Sequence, residues 1–596
     1  MSDPSPRFWH RADVRLAAFG LAAAGAVYFG FIGLEVEAGG MIVKRFGYYF
    51  ILAAFALWLG ALWSLWRDRQ PGKLPDRREL LLAGVVIGLL SLVAINAEAF
   101  RSKILYDEFV LQSTAYNMHY FRDTATMVRG YDILGTFIST DNYLDKRPNF
   151  YPFLISLVHD LTGYRPANAY WLNAGLLPVA LGLVYYLGRR LNGMRGGLLA
   201  VLLLGSLPLL GQNATGSSME LLNVTMILAV AGLGAAWLRR PDGVRLSAFA
   251  LGGVLLAQAR YESAIYVAPV ALLVLLGWWR ERRIILPWRV VAVPLLLLPY
   301  ALQNKVLSHT KWMWELRENQ ESRFSVDYLA GNLAGARDFF FNTNAQFANS
   351  WPLAWLGLAA LGYIIWQLVR SRPAPAAPGA DQTVLLLFGL GAITNTVLIL
   401  FYYWSNFSDP IAARFSLPFH LVLAFAVVAA AASLDRRWPA SLVLAGAMGL
   451  FACGVTTSHS AQHLYSYLGI DEVEWEKRYV AALPPGERLI ISNKSTLPWL
   501  LVKTPSILTG RAWIVRDRLE YQLGQGTFRE ILVLQSLRPT SADGNHQLLP
   551  EDRMPPGFDL ELMAEKRFGT KIARISRLVA VHSSPGSGAA AAPAIP

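Results

Sequence analysis

The chain has 596 residues, 54% of them hydrophobic and 16% charged, with a mean hydropathy of +0.35 and a formal net charge of +13. Its apolar residues fall in runs of roughly 15 to 23, the length that crosses a hydrocarbon core, which excludes a water-soluble globular protein and implies a polytopic α-helical membrane protein. The basic residues cluster in short loops between these runs, which excludes a nucleic-acid-binding stripe, and the single cysteine, Cys453, excludes an intrachain disulfide or a cysteine-rich metal site.

In chain order, spans are expected near 16–34, 47–66, 80–96, 167–188, 196–211, 219–237, 246–259, 264–279, 288–303, 351–369, 383–404, 416–433 and 438–456, about thirteen in all. The apolar stretch after Arg15 is too long for a signal peptide and lacks a cleavage site, so it reads as the first span. Arg11 and Arg15, Arg77 and Arg78, Arg189 and Arg190, Arg239 and Arg240, Arg280 and Arg282, Arg370 and Arg372, and Arg436 and Arg437 fall on alternate loops. These loops and the N-terminus are therefore expected in the cytoplasm, with Lys44 and Arg45 the one basic pair against the pattern. The stretch 246–279 is expected to be a hairpin. As one helix it would be about 50 Å long with Arg260 and Glu262 near mid-membrane, whereas a turn at Arg260-Tyr261-Glu262-Ser263 returns the chain to Arg280 on the basic side.

This count puts two long loops, 97–166 and 304–350, and everything after His459 on the extracytoplasmic side of a bacterial-type inner membrane. The first loop opens on Tyr106-Asp107-Glu108 and closes on Asp145-Lys146-Arg147-Pro148, an acid/base element and a cation pair pinned by proline. Its stretch from Phe109 to Val128 mixes aromatic and polar residues as an interfacial helix would, and Lys311-Trp312-Met313-Trp314 offers similar anchors in the second loop. Pro373–Gly379 reads as a flexible linker.

Four regions are expected: 1–79, a tail and two additional spans; 80–457, the catalytic membrane domain; 458–582, a small α/β extracytoplasmic domain; and 583–596, a disordered tail. In the third, Asp471–Leu483 has helical period, Arg488–Ser492 and Glu530–Gln535 read as buried strands, Trp499–Val502 as strand or helix, and Phe558–Glu565 with Lys571–Val581 as a closing pair. Gly524-Gln525-Gly526 stands alone and makes no nucleotide fingerprint. His459 and His463 have metal-ligand spacing, but no carboxylate follows until Asp471.

An Asp-Glu pair just outside a span, an acidic-Lys-x-Pro element about forty residues on, an Arg-Phe-Ser-Leu-Pro stretch (Arg414–Pro418) opening a late span, and a C-terminal extracytoplasmic domain together resemble the GT-C glycosyltransferases. Within them the chain looks most like the branch of the lipid A aminoarabinose transferase and the protein O-mannosyltransferases. It departs from that branch's common Lys-Pro-Pro at Lys146-Arg147-Pro148, which leaves donor and acceptor open. The resemblance implies a polyprenyl-phosphate sugar donor, a lipid, glycan or protein acceptor, membrane lipids as surroundings, and neither nucleotide nor nucleic acid.

The chemistry of such a transfer can be argued independently. Displacing phosphate from an anomeric carbon passes through an oxocarbenium-like transition state, so cations must meet the departing phosphate and a carboxylate the attacking hydroxyl. Asp107 is the expected general base of an inverting displacement, Glu108 its helper, and Lys146, Arg147, Arg260 and Arg414 the candidates for the phosphate. Tyr106, Tyr143, Tyr261 and Glu262 are candidates for sugar or acceptor. A divalent cation bridging Asp107 or Glu108 to the phosphate is left open. The alternatives are a transporter or flippase of lipid-linked saccharide, against which the absence of internal repeats counts, and a ligase using a pyrophosphate donor.

Overall fold

The computed structural model describes residues 12–68, 76–310, 320–343, 347–370, 379–434, 446, 469–538 and 553–582. The chain runs through α1 (Ala12–Val27), α2 (Val36–Arg67), α3 (Arg77–Asn96), α4 (Asp107–Phe121), β1 (Thr126–Ile133), β2 (Thr136–Tyr143), α5 (Phe150–Thr162), α6 (Asn168–Gly205), α7 (Pro208–Thr215), α8 (Glu220–Arg239), α9 (Gly243–Ala257) and α10 (Val267–Glu281). Three short helices follow, α11 (Trp288–Val291), α12 (Val293–Leu296) and α13 (Leu298–His309), then α14 (Asp327–Phe341), α15 (Trp351–Arg370), α16 (Ala380–Leu400), α17 (Pro410–Ala413) and α18 (Leu417–Leu434). The C-terminal part contains α19 (Ile470–Ala482), β3 (Arg488–Ser492), α20 (Leu497–Leu500), β4 (Ser506–Leu508), α21 (Thr509–Ile514), α22 (Arg516–Gln525), β5 (Glu530–Leu537), β6 (Phe558–Phe568) and β7 (Lys571–Val581). Two compact units result: Met1–Arg101, Lys146–Val158 and Ala167–Gln462 form one, and Ser102–Asp145, His159–Pro166 and His463–Pro596 the other.

The first unit is a multi-pass membrane bundle. Among its described residues nine helices are long and apolar enough to cross a bilayer, fewer than the thirteen spans expected. The difference has identifiable causes. The stretch 288–303 is cut into α11, α12 and α13 because Pro294 and Pro299 cannot donate to the helical ladder. The expected spans 167–188 and 196–211 are the legs of α6, whose chain reverses at Asn192 and Gly193 (φ 60°); 246–259 is α9, only 15 residues long; 438–456 lies outside the described residues.

Small residues hold these legs together. A Cβ on Gly188 would lie 2.6 Å from the Gly196 carbonyl oxygen, so the two legs of α6 pack backbone to backbone. Gly253 likewise admits Val270 where α9 and α10 form the expected hairpin, the chain turning through the 3₁₀ segment Tyr261–Tyr266. One end of the bundle gathers Arg190, Arg239 and Asp381, with Arg189 on Glu79 nearby in sequence. Because α8 carries Arg239 at its last residue and Glu220 at its first, Glu220 marks the opposite end, about 28 Å away.

The second unit contains a five-stranded sheet in the order β4-β3-β5-β7-β6, parallel across β4, β3 and β5 and antiparallel from β5 to β7 to β6. Every residue of β3 is buried, as expected of a parallel strand covered on both faces. One face packs Val480, Ile490, Trp499 and Leu532, the other Leu489, Ile507, Leu519 and Val533. The segment Trp499–Val502 proves to belong to a helical turn, α20 and its end. Helix α4 packs here too, its Phe109 and Val110 against Val473, Leu497 and Leu501.

The helix expected from Phe109 to Val128 stops at Phe121. Arg122 adopts a left-handed conformation (φ 55°), the Asp123 carboxylate accepts from the Ala125 amide, and the chain continues as the hairpin β1–β2, which turns at Leu134 and Gly135 with positive φ at both. The β-branched residues Thr124, Thr126 and Val128 favour that outcome over more helix. Lys311–Trp314, the linker after Arg372, His459 with His463, and the tail from Ser583 lie outside the described residues.

Candidate functional site

The two units carry chemistry of different kinds. In the sheet-containing unit, the Asp107 amide donates to the Leu105 carbonyl at 3.0 Å across Tyr106, whose φ of 69° and ψ of −53° define a tight three-residue turn. That conformation is strained for a residue with a Cβ, at a cost of about 1–3 kcal/mol. It delivers Asp107 and Glu108 as the first two residues of α4, where the helix dipole favours carboxylates. Glu108 is fully buried and accepts from the Lys103 amide at 3.0 Å, whereas Asp107 stays half-buried. The pair is therefore split into a fixed carboxylate and one that retains access. Tyr143 closes β2 and its hydroxyl donates to Asp145 at 3.4 Å.

In the bundle unit, Arg147 is buried and Lys146 half-buried. The Arg147 carbonyl accepts from Gln303 Nε2 of α13 at 3.0 Å, and Pro148 restricts Arg147 to extended conformations. Helix α5 starts directly afterwards and anchors the segment through Phe150 against Phe55 and Phe153 against Tyr48 and Phe55 of α2. The cation pair thus stands on fixed backbone.

The same unit brings Arg260 and Arg414 together on a residue the sequence reading missed, Glu220. Its Oε1 accepts from Arg260 Nη1 at 2.9 Å and lies 3.2 Å from Arg414 Nη1, with all three side chains at most 5% exposed. Arg260 Nε also donates to Glu262 Oε2 at 2.7 Å, and Glu262 is 20% exposed. The ring of Phe415 underlies both guanidiniums, 4.5 Å from that of Arg260 and 5.4 Å from that of Arg414. Arg260 Nη2 is buried and makes no hydrogen bond among the described residues.

Polar neighbours hold this arrangement in place. Ser263 bonds Asn223 at 2.6 Å across two helix ends, Tyr300 donates to the Tyr261 carbonyl at 3.0 Å, and Asn173 Nδ2 donates to the carbonyls of Gly216 and Ser218 just before Glu220. Arg260 sits in the turn between α9 and α10, and Arg414 opens the turn into α18, so three separate helix ends converge. A lone acid opening an apolar run was the one sequence signal for Glu220.

A cavity of about 660 Å³ lies elsewhere in this unit, between α14 and the helices α15, α16 and α18. Leu333, Phe340, Leu358, Val397, Leu400 and Leu423 line it, with Arg337 the single charged residue. Among the described residues no group of three or more His, Cys, Asp or Glu side chains is arranged to hold a metal ion.

No protein-family model matches the chain, and no curated protein does. Solved structures do. ArnT from Cupriavidus metallidurans bound to undecaprenyl phosphate is 15% identical and superposes with a TM-score of 0.52, covering 82% of this chain and 97% of its own. The same protein in its apo state gives 0.44 at 15% identity, over 84% of this chain and 98% of its own. The Archaeoglobus fulgidus oligosaccharyltransferase in complex with Zn and sulfate gives 0.41 at 12% identity, over 68% and 60%. The chain therefore shares the overall fold of ArnT across most of its length.

Proposed function

We propose that this multi-pass membrane protein is a GT-C glycosyltransferase that moves a sugar from a polyprenyl-phosphate donor to a lipid, glycan or protein acceptor on the extracytoplasmic face. The observation that carries the reading is the arginine pair built into converging helix ends of a bundle with the ArnT fold. Buried cations are costly at a membrane unless used, and Arg260 Nη2 has no hydrogen-bond partner among the described residues. A polyprenyl phosphate, the kind of lipid ArnT holds in its structure, supplies oxygens for such a donor. The apolar cavity beneath α14 suits a hydrocarbon chain of the same substrates.

The electrostatics favour transfer over simple binding. The donor is a phosphodiester with one negative charge; its leaving group is a monoester that approaches two at neutral pH. Guanidiniums fixed beside the phosphate are thus attracted more strongly as the anomeric C–O bond breaks, which is stabilisation specific to the transition state. Lys146 and Arg147 supply further positive charge on rigid backbone. On the acceptor side Asp107 takes the hydroxyl proton as the new C–O bond forms with inversion, and Glu108 fixes the turn that presents Asp107. Tyr106, Tyr143 and Tyr261 remain candidates for the sugar or acceptor.

Incubating the purified protein with radiolabelled polyprenyl-phosphate sugars and candidate acceptors, followed by thin-layer chromatography, tests the reading. Label leaving the lipid for the acceptor with release of polyprenyl phosphate is the expected result. Intact label crossing proteoliposome membranes without cleavage would identify a flippase instead.

A further inference from the structure

The arginine cluster carries a contradiction if it is only a phosphate site. Arg260 and Arg414 contribute two positive charges, and Glu220 and Glu262 two negative ones, so the cluster as it stands is neutral. A buried neutral cluster has little attraction for an anion, and adding a phosphate would leave uncompensated negative charge in a dry site. One carboxylate must therefore give way. The two are not equivalent in the structure.

Glu220 is 1% exposed, touches both arginines through the same oxygen, and is fixed at the first residue of α8. Removing it would let two like charges face each other without their bridge. Glu262 is 20% exposed and has one arginine partner, Arg260, which it meets through Nε alone. The guanidinium edge formed by Nε and Nη2 can donate to two oxygens side by side. Glu262 uses half of that edge, and Nη2, the other half, makes no hydrogen bond among the described residues. Glu220 meanwhile occupies Nη1 and leaves that edge clear.

We propose that Glu220 is the fixed positioning residue of the arginine pair, while Glu262 is a displaceable placeholder whose carboxylate stands on the Arg260 edge until two phosphate oxygens take both Nε and Nη2. The inference rests on the transferase reading and refines it: Glu262 competes with the lipid phosphate, in place of the sugar-binding part the sequence suggested. Displacement moves Glu262 toward the solvent it already partly meets, and the cluster turns from neutral to singly positive as the phosphate enters. When the leaving group departs, Glu262 returns to Arg260 and helps expel it.

The two residues then predict shifts of opposite sign. In the full-length protein in detergent, binding of a fluorescent polyprenyl phosphate without sugar is measured by titration. Glu262→Gln should tighten binding by about tenfold, the size of one charge-assisted hydrogen bond no longer contested, while Glu262→Asp stays near wild type. Glu220→Gln should weaken binding by about tenfold or more, with Glu220→Asp recovering part of it. In turnover, Glu262→Gln should lower the donor KM and also kcat, because product leaves more slowly. A Glu262 that only braces Arg260 would, on its loss, leave Arg260 misplaced and weaken binding. If Glu262→Gln leaves affinity unchanged or weakens it, the placeholder is wrong even though the transferase reading stands. Should Glu220→Gln fail to fold, Glu220→Asp still decides the positioning half: full wild-type affinity and turnover together with loss of the opposite sign at Glu262 overturn it. Wild-type protein that binds no polyprenyl phosphate overturns both this proposal and the function it rests on.

Discussion

Replacing Asp107 by Asn separates chemistry from folding more cleanly than any other change in the first loop. The side chain keeps its shape and loses its charge, and Asp107 is the first residue of α4, where a carboxylate interacts favourably with the helix dipole. That interaction contributes about 0.3–1 kcal/mol at a partly exposed position. Loss of the dipole interaction alone lowers the melting temperature by no more than about 4 °C, and the thermal scan reads any further structural cost directly. If Asp107 accepts the acceptor's proton, its loss removes at least about a hundredfold in rate, or about 2.7 kcal/mol of barrier, well above the structural cost. Because Glu108 is fully buried and bonded to the Lys103 amide, it is not free to take over the proton, so the loss should not be rescued in place. The assay is transfer from a polyprenyl-phosphate sugar under saturating donor, beside thermal unfolding and donor binding of the same preparation. Donor affinity should stay within a few fold. Turnover within threefold of wild type, or a rate loss that tracks the fraction unfolded, would refute Asp107 as the base.

Further expectations can be measured in parallel. Lys146→Ala and Arg147→Ala, assayed separately, should include at least one variant that loses roughly a hundredfold in transfer at every salt concentration, because a shielded phosphate partner is worth several kcal/mol and a headgroup anchor about 1; mild effects that vanish with salt in both would leave the phosphate to Arg260 and Arg414. In a Cys453→Ser background, an impermeant thiol reagent outside the inner membrane should label cysteines at Leu134 and Tyr521, both exposed, and not one at Arg283; labelling at Arg283 alone inverts the orientation. Burial pushes the Glu476 carboxyl up to about 8 against the pull of Lys494. With the folded value raised above the unfolded 4.5, this carboxyl's contribution is fully present below pH 4.5 and is lost as pH rises toward 8, with His159, lowered to about 3 by burial, opposing it up to pH 6.5. Lys477, lowered to about 8 by burial, acts with the opposite sign between 8 and 10.5, so thermal scans of the wild type should pass through a minimum near pH 8 and Glu476→Gln should flatten the descending side.

Most of the bundle was legible because a bilayer leaves the backbone no partner but itself, so apolar length translates directly into helix. The same logic correctly placed the turn at Arg260, where two charges could not lie at mid-membrane. It failed at 288–303 because hydropathy ignores hydrogen-bond capacity: Pro294 and Pro299 are apolar enough to extend a run and unable to extend a helix. The loop helix was overextended for a related reason. Aromatic residues up to Phe121 and beyond satisfy either period, and only Arg122 in its left-handed conformation, with Asp123 bonding the Ala125 amide, marks where the helix gives way to a hairpin.

That Arg260 and Arg414 meet on Glu220 was illegible in the sequence. Arg260 and Arg414 stand out in sequence because charge at a span end is expensive, but nothing in a single chain says that helix ends 40 residues apart, such as those of Glu220 and Arg260, meet at one carboxylate. Glu220 escaped notice because an acid opening an apolar helix has an ordinary explanation, the dipole at its N-terminus. In the folded chain that explanation is insufficient. A residue needed only by the dipole would not be 1% exposed between two guanidiniums, since burying three ionised groups costs more than a helix start returns. On the proposed reading the charges are held ready for a phosphate, whose oxygens would meet the half-used edge of Arg260. Lysine could supply the charge there but not the edge, because its ammonium has no planar fork to share between a resident carboxylate and an incoming phosphate.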